Sequence, residues 1–238
     1  MNFSVRSYEK ELLDRDDIPF ADIRQNMREL DIINTRLGGH AITINGFRRL
    51  LQNRQEITVC EIGCGGGDNL AAIARWCRKR GIAVTLIGID INTDCIHVAQ
   101  ANLASMNAQL IVSDYRLVNL GMEKPDIIFS SLFCHHFTEE QLVSMLQWMD
   151  TNASTGFFIN DLHRHWLAYY SIKWLTALFS KSYLVKNDAP LSVRRGFVKK
   201  EWVALLRQAG IDNGCLQWKW AFRWLLLSKN VQETGNNR

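Results

Sequence analysis

The stretch EIGCGGGDNL, residues 61–70, restricts the fold of this chain more than any other. A cysteine and three more glycines follow the apolar, β-branched run ITVCEIG (57–63), which reads as a buried strand. Asp68 then opens a helical pattern over 69–80, with Arg78, Lys79 and Arg80 in its last turn and Gly81 after it. Glycine permits left-handed turns and lets a ligand approach the main chain. A glycine loop between a strand and a helix lies at the carboxyl end of that strand. In an open α/β sheet this is where ligands bind.

The alternation continues along the chain. VTLIGID (84–90), LIVSD (110–114), DIIFSSLF (126–133) and GFFIND (156–161) read as strands, and helices are expected over 93–105, capped by Thr93, and from a Thr138–Gln141 capping box to 149. Strands separated by helices imply right-handed βαβ units. A strongly apolar helix is expected over 164–180, then a polar connection, SKSYLVKNDAPLSVRRGF, then a helix at 199–209 ending at Gly210. The aromatic-rich run 215–229 suits two closing antiparallel strands. Upstream, Ile23, Met27, Leu30 and Leu37 mark an amphipathic helix over 22–37 stopped by Gly38-Gly39, and a shorter helix is expected at 45–52. The expected fold is therefore α/β and Rossmann-like. It has a mostly parallel seven-stranded sheet with helices on both faces and an antiparallel closing pair. Residues 1–56 form a helical cap or lid, and 57–230 the ligand-binding domain with a helical insert at about 162–198.

Composition narrows the function. With 47% hydrophobic and 22% charged residues the chain can bury a full core. The net charge of +4 is mild and not gathered into a tract, which makes nucleic acid an unfavoured partner. The six cysteines (60, 64, 77, 95, 134, 215) contain no C-x-x-C pair, and MNFSVRSYEK lacks a signal-peptide core, so a reduced, cytoplasmic protein is expected. The longest apolar segment, WLAYYSIKWLTALF, contains Lys173 and is too short for a membrane span. ETGNNR at the C-terminus reads as a frayed tail.

Two phosphate-binding readings of the glycine loop fail. A dinucleotide loop needs G-x-G-x-x-G, but the sixth residue from Gly63 is Asp68; no G-x-x-x-x-G-K-[ST] is present. The spacing is G-x-G-x-G, with Glu61 before it and Asp68 after it. These acids repel a pyrophosphate and suit a ligand carrying ammonium and sulfonium charge.

In these features the chain resembles the class I S-adenosylmethionine-dependent methyltransferases. EIGCGGGDNL looks like their first motif, GIDIN puts Asp90 where an acid holds the ribose hydroxyls, SDY puts Asp114 beside the adenine, and PDIIFSSLFCHHF looks like their fourth-strand motif. The resemblance implies S-adenosylmethionine as cofactor, held by Glu61, Gly63, Gly65, Gly67, Asp90, Ile91, Asp114, Tyr115 and Ser131. The loop after the fourth strand lacks the Asp/Asn-Pro-Pro-aromatic and Pro-Cys motifs of nucleic-acid methylases, and HHF resembles small-molecule enzymes. INTRLGGH, NDLHRHWLAYY and DAPLSVRRGF resemble a bacterial group associated with secondary-metabolite gene neighbourhoods. The implied reaction is methyl transfer to a small apolar or aromatic acceptor, most simply at oxygen; an RNA or protein methyltransferase and a non-catalytic cofactor-binding homologue are the alternatives. His135 and His136 are candidate bases, with a structural histidine as the other reading for each. His40, His163, Arg194 and Arg195 are candidate acceptor contacts. No metal is expected, because no catechol-type Asp/Asp/Asn set is present. The 164–180 helix has three readings: a core helix, a wall for the acceptor, or a face pairing two copies into a homodimer. Segment 22–50 is expected to fold across the sheet edge with Asn34, Arg36 and His40 near the pocket.

Overall fold

The computed structural model describes residues 2–15, 17–121 and 124–230; the C-terminal ETGNNR lies outside them. Seven strands form one sheet in the order β3-β2-β1-β4-β5-β7-β6. They are β1 (Glu56–Ile62), β2 (Ala83–Asp90), β3 (Ala108–Val112), β4 (Ile127–Ser131), β5 (Gly156–Leu162), β6 (Cys215–Lys219) and β7 (Arg223–Lys229). β1 to β5 run parallel, and β7 is antiparallel to both β5 and β6. This is the expected α/β Rossmann-like sheet with its closing antiparallel strands.

The strands are apolar without a polar face because both faces are covered. Alternate residues divide between two cores. Ile128, Phe157, Ile159 and Leu226 face α5 (Glu139–Asn152) and α8 (Lys199–Ala209). Ile127, Phe129, Phe158, Leu225 and Leu227 face α2 (Gly39–Leu51) and α3 (Asp68–Arg78). The first core closes on the fully buried Trp202, and the second on Phe47 and the stacked rings of Phe129 and Phe158.

Local signals were mostly accurate. The Thr138–Gln141 capping box opens α5, and α8 ends at Gly210 in the left-handed conformation. Two caps differ from expectation. Asn92 rather than Thr93 caps α4 (Thr93–Leu103), accepting from the amides of Asp94 and Cys95. Gly67, at φ 72°, occupies the cap position of α3, and Asp68 is its first residue. Helix α1 (Phe20–Arg36) is joined to α2 by Leu37 and Gly38 alone, so α2 starts at Gly39 and not at 45. Gly38 at φ 78° makes that corner.

The larger correction falls after β5. Helix α6 (Trp166–Phe179) is followed by a second helix, α7 (Tyr183–Arg195), where a polar connection was expected. Pro190 inside α7 removes one backbone donor and hides the helical pattern. Burial compensates: Leu184, Val185, Leu191 and Val193 are buried, α7 packs along α6, and the Ser182 hydroxyl caps its start.

Within α2, Gly46 has a steric role. A methyl group there would come 2.6 Å from the Phe158 ring, already stacked on Phe129. Alanine favours a helix by about 1 kcal/mol over glycine, but overpacking costs about 1–3 kcal/mol. Gly46→Ala is therefore expected to lower unfolding free energy in urea titration by about 1–2 kcal/mol.

Candidate functional site

A cavity of about 1060 Å³ opens at the carboxyl ends of β1, β2, β4 and β5. The glycine loop forms its floor. Gly63, Gly65 and Gly67 have φ of 68°, 50° and 72°, a region that L side chains rarely adopt. Gly63 packs under the Phe133 ring, and Gly67 packs on Leu103 and Ala99 of α4. A Cβ added at Gly65 would have only the Met27 sulfur within 4 Å, at 3.5 Å. Gly65 thus leaves main chain open to a ligand, whereas Gly67 serves packing and is not among the lining residues.

Three carboxylates surround this loop. Asp90 ends β2; one oxygen accepts from the Gly65 amide at 2.9 Å and the other from the Asn92 amide at 2.9 Å. Burial pushes its pKa up, and those amides pull it back. Glu61 is buried at the end of β1. Its Oε1 accepts from Asn69 Nδ2 at 3.1 Å, while Oε2 has no partner among the described residues. Burial, with the charges of Asp68 and Asp90, raises the Glu61 pKa well above the usual carboxylate range. Burial also raises Asp68. A buried acid with an unanswered oxygen fits a cationic ligand, which would restore its ionised form.

The residues expected beside an adenine lie at the ends of β3 and β4. Asp114 caps the 3-10 turn Tyr115–Leu117, and its pairing with Arg116 lowers its pKa. Tyr115 is buried edge-on against Trp148. Ile91, Asp114, Tyr115 and Ser131 all line the cavity. The Ser131 hydroxyl lies 3.4 Å from Asn160 Nδ2.

His135 and His136 both reach the cavity, but in different environments. His135 is buried; its Nδ1 lies 2.8 Å from Asp161 Oδ1 and its Nε2 3.5 Å from Glu11 Oε1. Burial alone would lower its pKa, yet the Asp161 charge and the bonds to Asp161 and Glu11 raise it to about 9. A value near 9 favours the imidazolium at neutral pH, with Nδ1 donating to Asp161 and Nε2 facing the Glu11 carboxylate. His136 is more open, with Nδ1 3.3 Å from Asp14 Oδ1 and Nε2 3.7 Å from Glu11 Oε2.

Glu11 and Asp14 come from an N-terminal strap that sequence reasoning missed. Residues 2–15 cross the outside of α7 and the loop after β4. Arg164, paired with Glu201, donates to the carbonyls of Phe3 and Ser4; Arg6 donates to the carbonyls of Arg195, His135 and Phe137. Asp188 accepts from the amides of Leu12 and Leu13 at 2.8 and 3.0 Å. The charged stretch RSYEKELLDRDD carries no periodicity that would have placed it.

The four expected acceptor contacts lie elsewhere. His40 sits behind the glycine loop, 3.1 Å from Asn69 and 2.9 Å from Asp31. His163 packs on Trp224 and accepts from Trp218 Nε1; burial, His165 and Arg164 lower its pKa to about 4. Arg194 pairs with Glu9. Arg195 is buried, donates to the carbonyls of His135 and Glu9, and lies 3.5 Å from Asp14. None of these four lines the cavity; of the expected lid residues Asn34 does, and Arg36 does not. Among the described residues, Glu11-His135-His136 and Asp31-His40-Asp68 bring metal-type ligands together. In each, the donors already pair with one another, and Arg195 supplies a fixed cation to the first.

The glycine loop, the acids at successive strand ends and the sheet order resemble those of class I S-adenosylmethionine-dependent methyltransferases. Residues 59–156 match the family model described as a methyltransferase domain. Solved structures share the fold. The plantazolicin methyltransferase BpumL in complex with SAH aligns with a TM-score of 0.65 at 19% identity, over 92% of this chain and 91% of that one. A SAM-dependent methyltransferase from Aquifex aeolicus aligns at 0.57 and 16%, over 79% and 89%. The magnesium protoporphyrin IX methyltransferase of Synechocystis with bound SAM aligns at 0.54 and 14%, over 83% and 82%. A search of curated protein sequences finds no significant match.

Two outcomes are expected. Asp90→Ala should weaken S-adenosylmethionine binding by about 10–100-fold, the loss of one or two charge-assisted hydrogen bonds, with the far-ultraviolet circular dichroism unchanged. Calorimetric titration reads the affinity. The second concerns pH. Because folding raises the His135 pKa, its stabilisation is fully present below about 6.5, the unfolded value. It is lost as pH rises through about 9. Urea midpoints measured between these limits should fall by an amount equivalent to up to about 3 kcal/mol, and His135→Gln should flatten that slope.

Proposed function

We propose that the chain methylates a small apolar or aromatic acceptor at oxygen, with His136 as the base. The observation that carries this reading is the division of the cavity. Beyond the glycine loop the lining includes an apolar group, Ala168, Ile172 and Leu175 of α6 with Phe222, and a polar group, His136 with Glu11 and Asp14. An apolar body fits the first group and a hydroxyl the second.

When bound, S-adenosylmethionine supplies an electrophilic methyl group and leaves as a neutral thioether. Glu61, Asp90 and Asp114, with the open main chain at Gly65, are the groups that would hold it. Asp14 orients His136 through Nδ1, and Nε2, 3.7 Å from Glu11 Oε2, takes the acceptor proton when the acceptor hydroxyl enters beside it. His135 positions the site: as an imidazolium between Asp161 and Glu11 it fixes the Glu11 carboxylate that His136 also faces. Helix α1 and the strap act as the cap, excluding water from the methyl path. Ile23, Met27 and Leu30 of α1 face the same cavity, which supports this role. A buried, walled cavity favours a small molecule over a folded protein or RNA, and secondary metabolism in the cytoplasm is the setting that the sequence resemblance suggests.

Acceptors with phenolic, amine and activated-carbon groups, incubated with methyl-labelled cofactor and read by mass spectrometry, test the assignment. Phenols or other hydroxyl compounds should become O-methylated. For that acceptor His136→Gln should lower kcat by about 10²–10⁴-fold with KM and cofactor affinity little changed. Methylation only at nitrogen or carbon, or an unchanged kcat, contradicts the reading.

A further inference from the structure

Helix α6 carries an apolar face that the rest of the fold leaves uncovered. Trp166, Tyr170, Trp174 and Leu178 recur at four-residue spacing and are 56%, 43%, 67% and 71% exposed; Phe179 follows at 78%. The helix is not a core helix packed on both sides, because among its described residues only Ala168, Tyr169 and Thr176 are buried. A contiguous aromatic face of this kind marks an interaction surface.

Charge identifies the partner. From residue 162 to residue 187 the sequence contains no Asp or Glu. Lys173, Lys181 and Lys186 in that span are exposed. Two carboxylates border the segment from outside it: Glu29 accepts from Ser180 and from the amides of Lys181 and Ser182, and Asp22 from the Tyr183 hydroxyl. Tryptophan, tyrosine and phenylalanine beside lysine, on a helix too short to span a bilayer, is the composition of a segment lying in the membrane interface. A second copy of the chain is a poorer occupant, since two-fold pairing of this face would gather like-charged lysines with no acid on α6 itself to answer them.

We propose that α6 docks the enzyme on an anionic lipid surface. Its aromatic and leucine side chains enter the headgroup boundary, and Lys173, Lys181 and Lys186 meet lipid phosphates. No described helix is long and apolar enough to cross a membrane, so the association is peripheral. The location has a consequence for access. Leu175 both lines the cavity and is 41% exposed, so the rim of the cavity adjoins the docking face. An apolar acceptor dissolved in the bilayer enters the cavity there without crossing water.

The test needs no acceptor. The full chain is sedimented with vesicles of phosphatidylglycerol and phosphatidylcholine in equal parts, and with vesicles of phosphatidylcholine alone. The expected result is binding to the anionic vesicles that weakens with added salt. The combined variant Trp174→Ser, Leu178→Ser, Phe179→Ser should lose about tenfold or more of that partition. Lys173→Gln with Lys181→Gln and Lys186→Gln should remove the preference for anionic lipid. Unchanged S-adenosylmethionine affinity in both variants confirms that they fold. Failure of the unaltered chain to bind anionic vesicles, or equal binding by the serine variant, overturns the proposal. So does a dimer in sedimentation velocity that the serine variant converts to monomer without any vesicle binding, which would assign the face to a second copy.

Discussion

The parallel sheet gathers carboxylates at one edge, and the rest of the structure is arranged around answering them. Glu61 ends β1, Asp90 ends β2 and Asp161 lies in β5, all buried or nearly so. A buried charge without partners is too costly to keep. Asp90 is answered by two main-chain amides, which also shape the glycine loop. Asp161 is answered at Oδ1, by His135 and by the Leu162 amide, while its Oδ2 has no partner among the described residues. Glu61 is answered at one oxygen by Asn69, with no cation beside it. A buried acid left in that state fits a cationic ligand at this edge.

The Asp161–His135 pair extends the same logic to the chain terminus. Raising the His135 pKa to about 9 creates a buried cation at neutral pH, whose second nitrogen faces Glu11. Glu11 reaches it because Arg6, Arg164 and Asp188 tie the strap across α7. Charge compensation in the sheet thus fixes the position of a segment remote in sequence. The fixed segment in turn brings Glu11 and Asp14 against His136. The wall of the cavity and its acid-base end are parts of one electrostatic arrangement.

Helix α6 shows how one element serves two surfaces. Its near-uniform apolarity reads equally as core, pocket wall or interface, because hydrophobicity does not state what covers it. Packing on α7 separates these readings. One side goes against α7, one edge to the cavity, and the remainder to solvent beside exposed lysines.

The sequence by itself determined the sheet and the cofactor edge. Apolar β-branched runs, helix caps and the need for glycine at positive φ are local, so ITVCEIG, GIDIN and the loop 63–67 could be read in isolation. Tertiary structure alone decided the rest. α7 is a helix despite Pro190 because burying Leu184, Val185, Leu191 and Val193 outweighs one lost backbone bond. His40, His163, Arg194 and Arg195 leave the cavity because each meets partners that lie far away along the chain. His135 and His136, adjacent in sequence, differ in exposure and in partners because one faces Asp161 inside the sheet and the other faces the strap. Charge pairing depends on distance and burial, and the chain sets those only when it closes on itself.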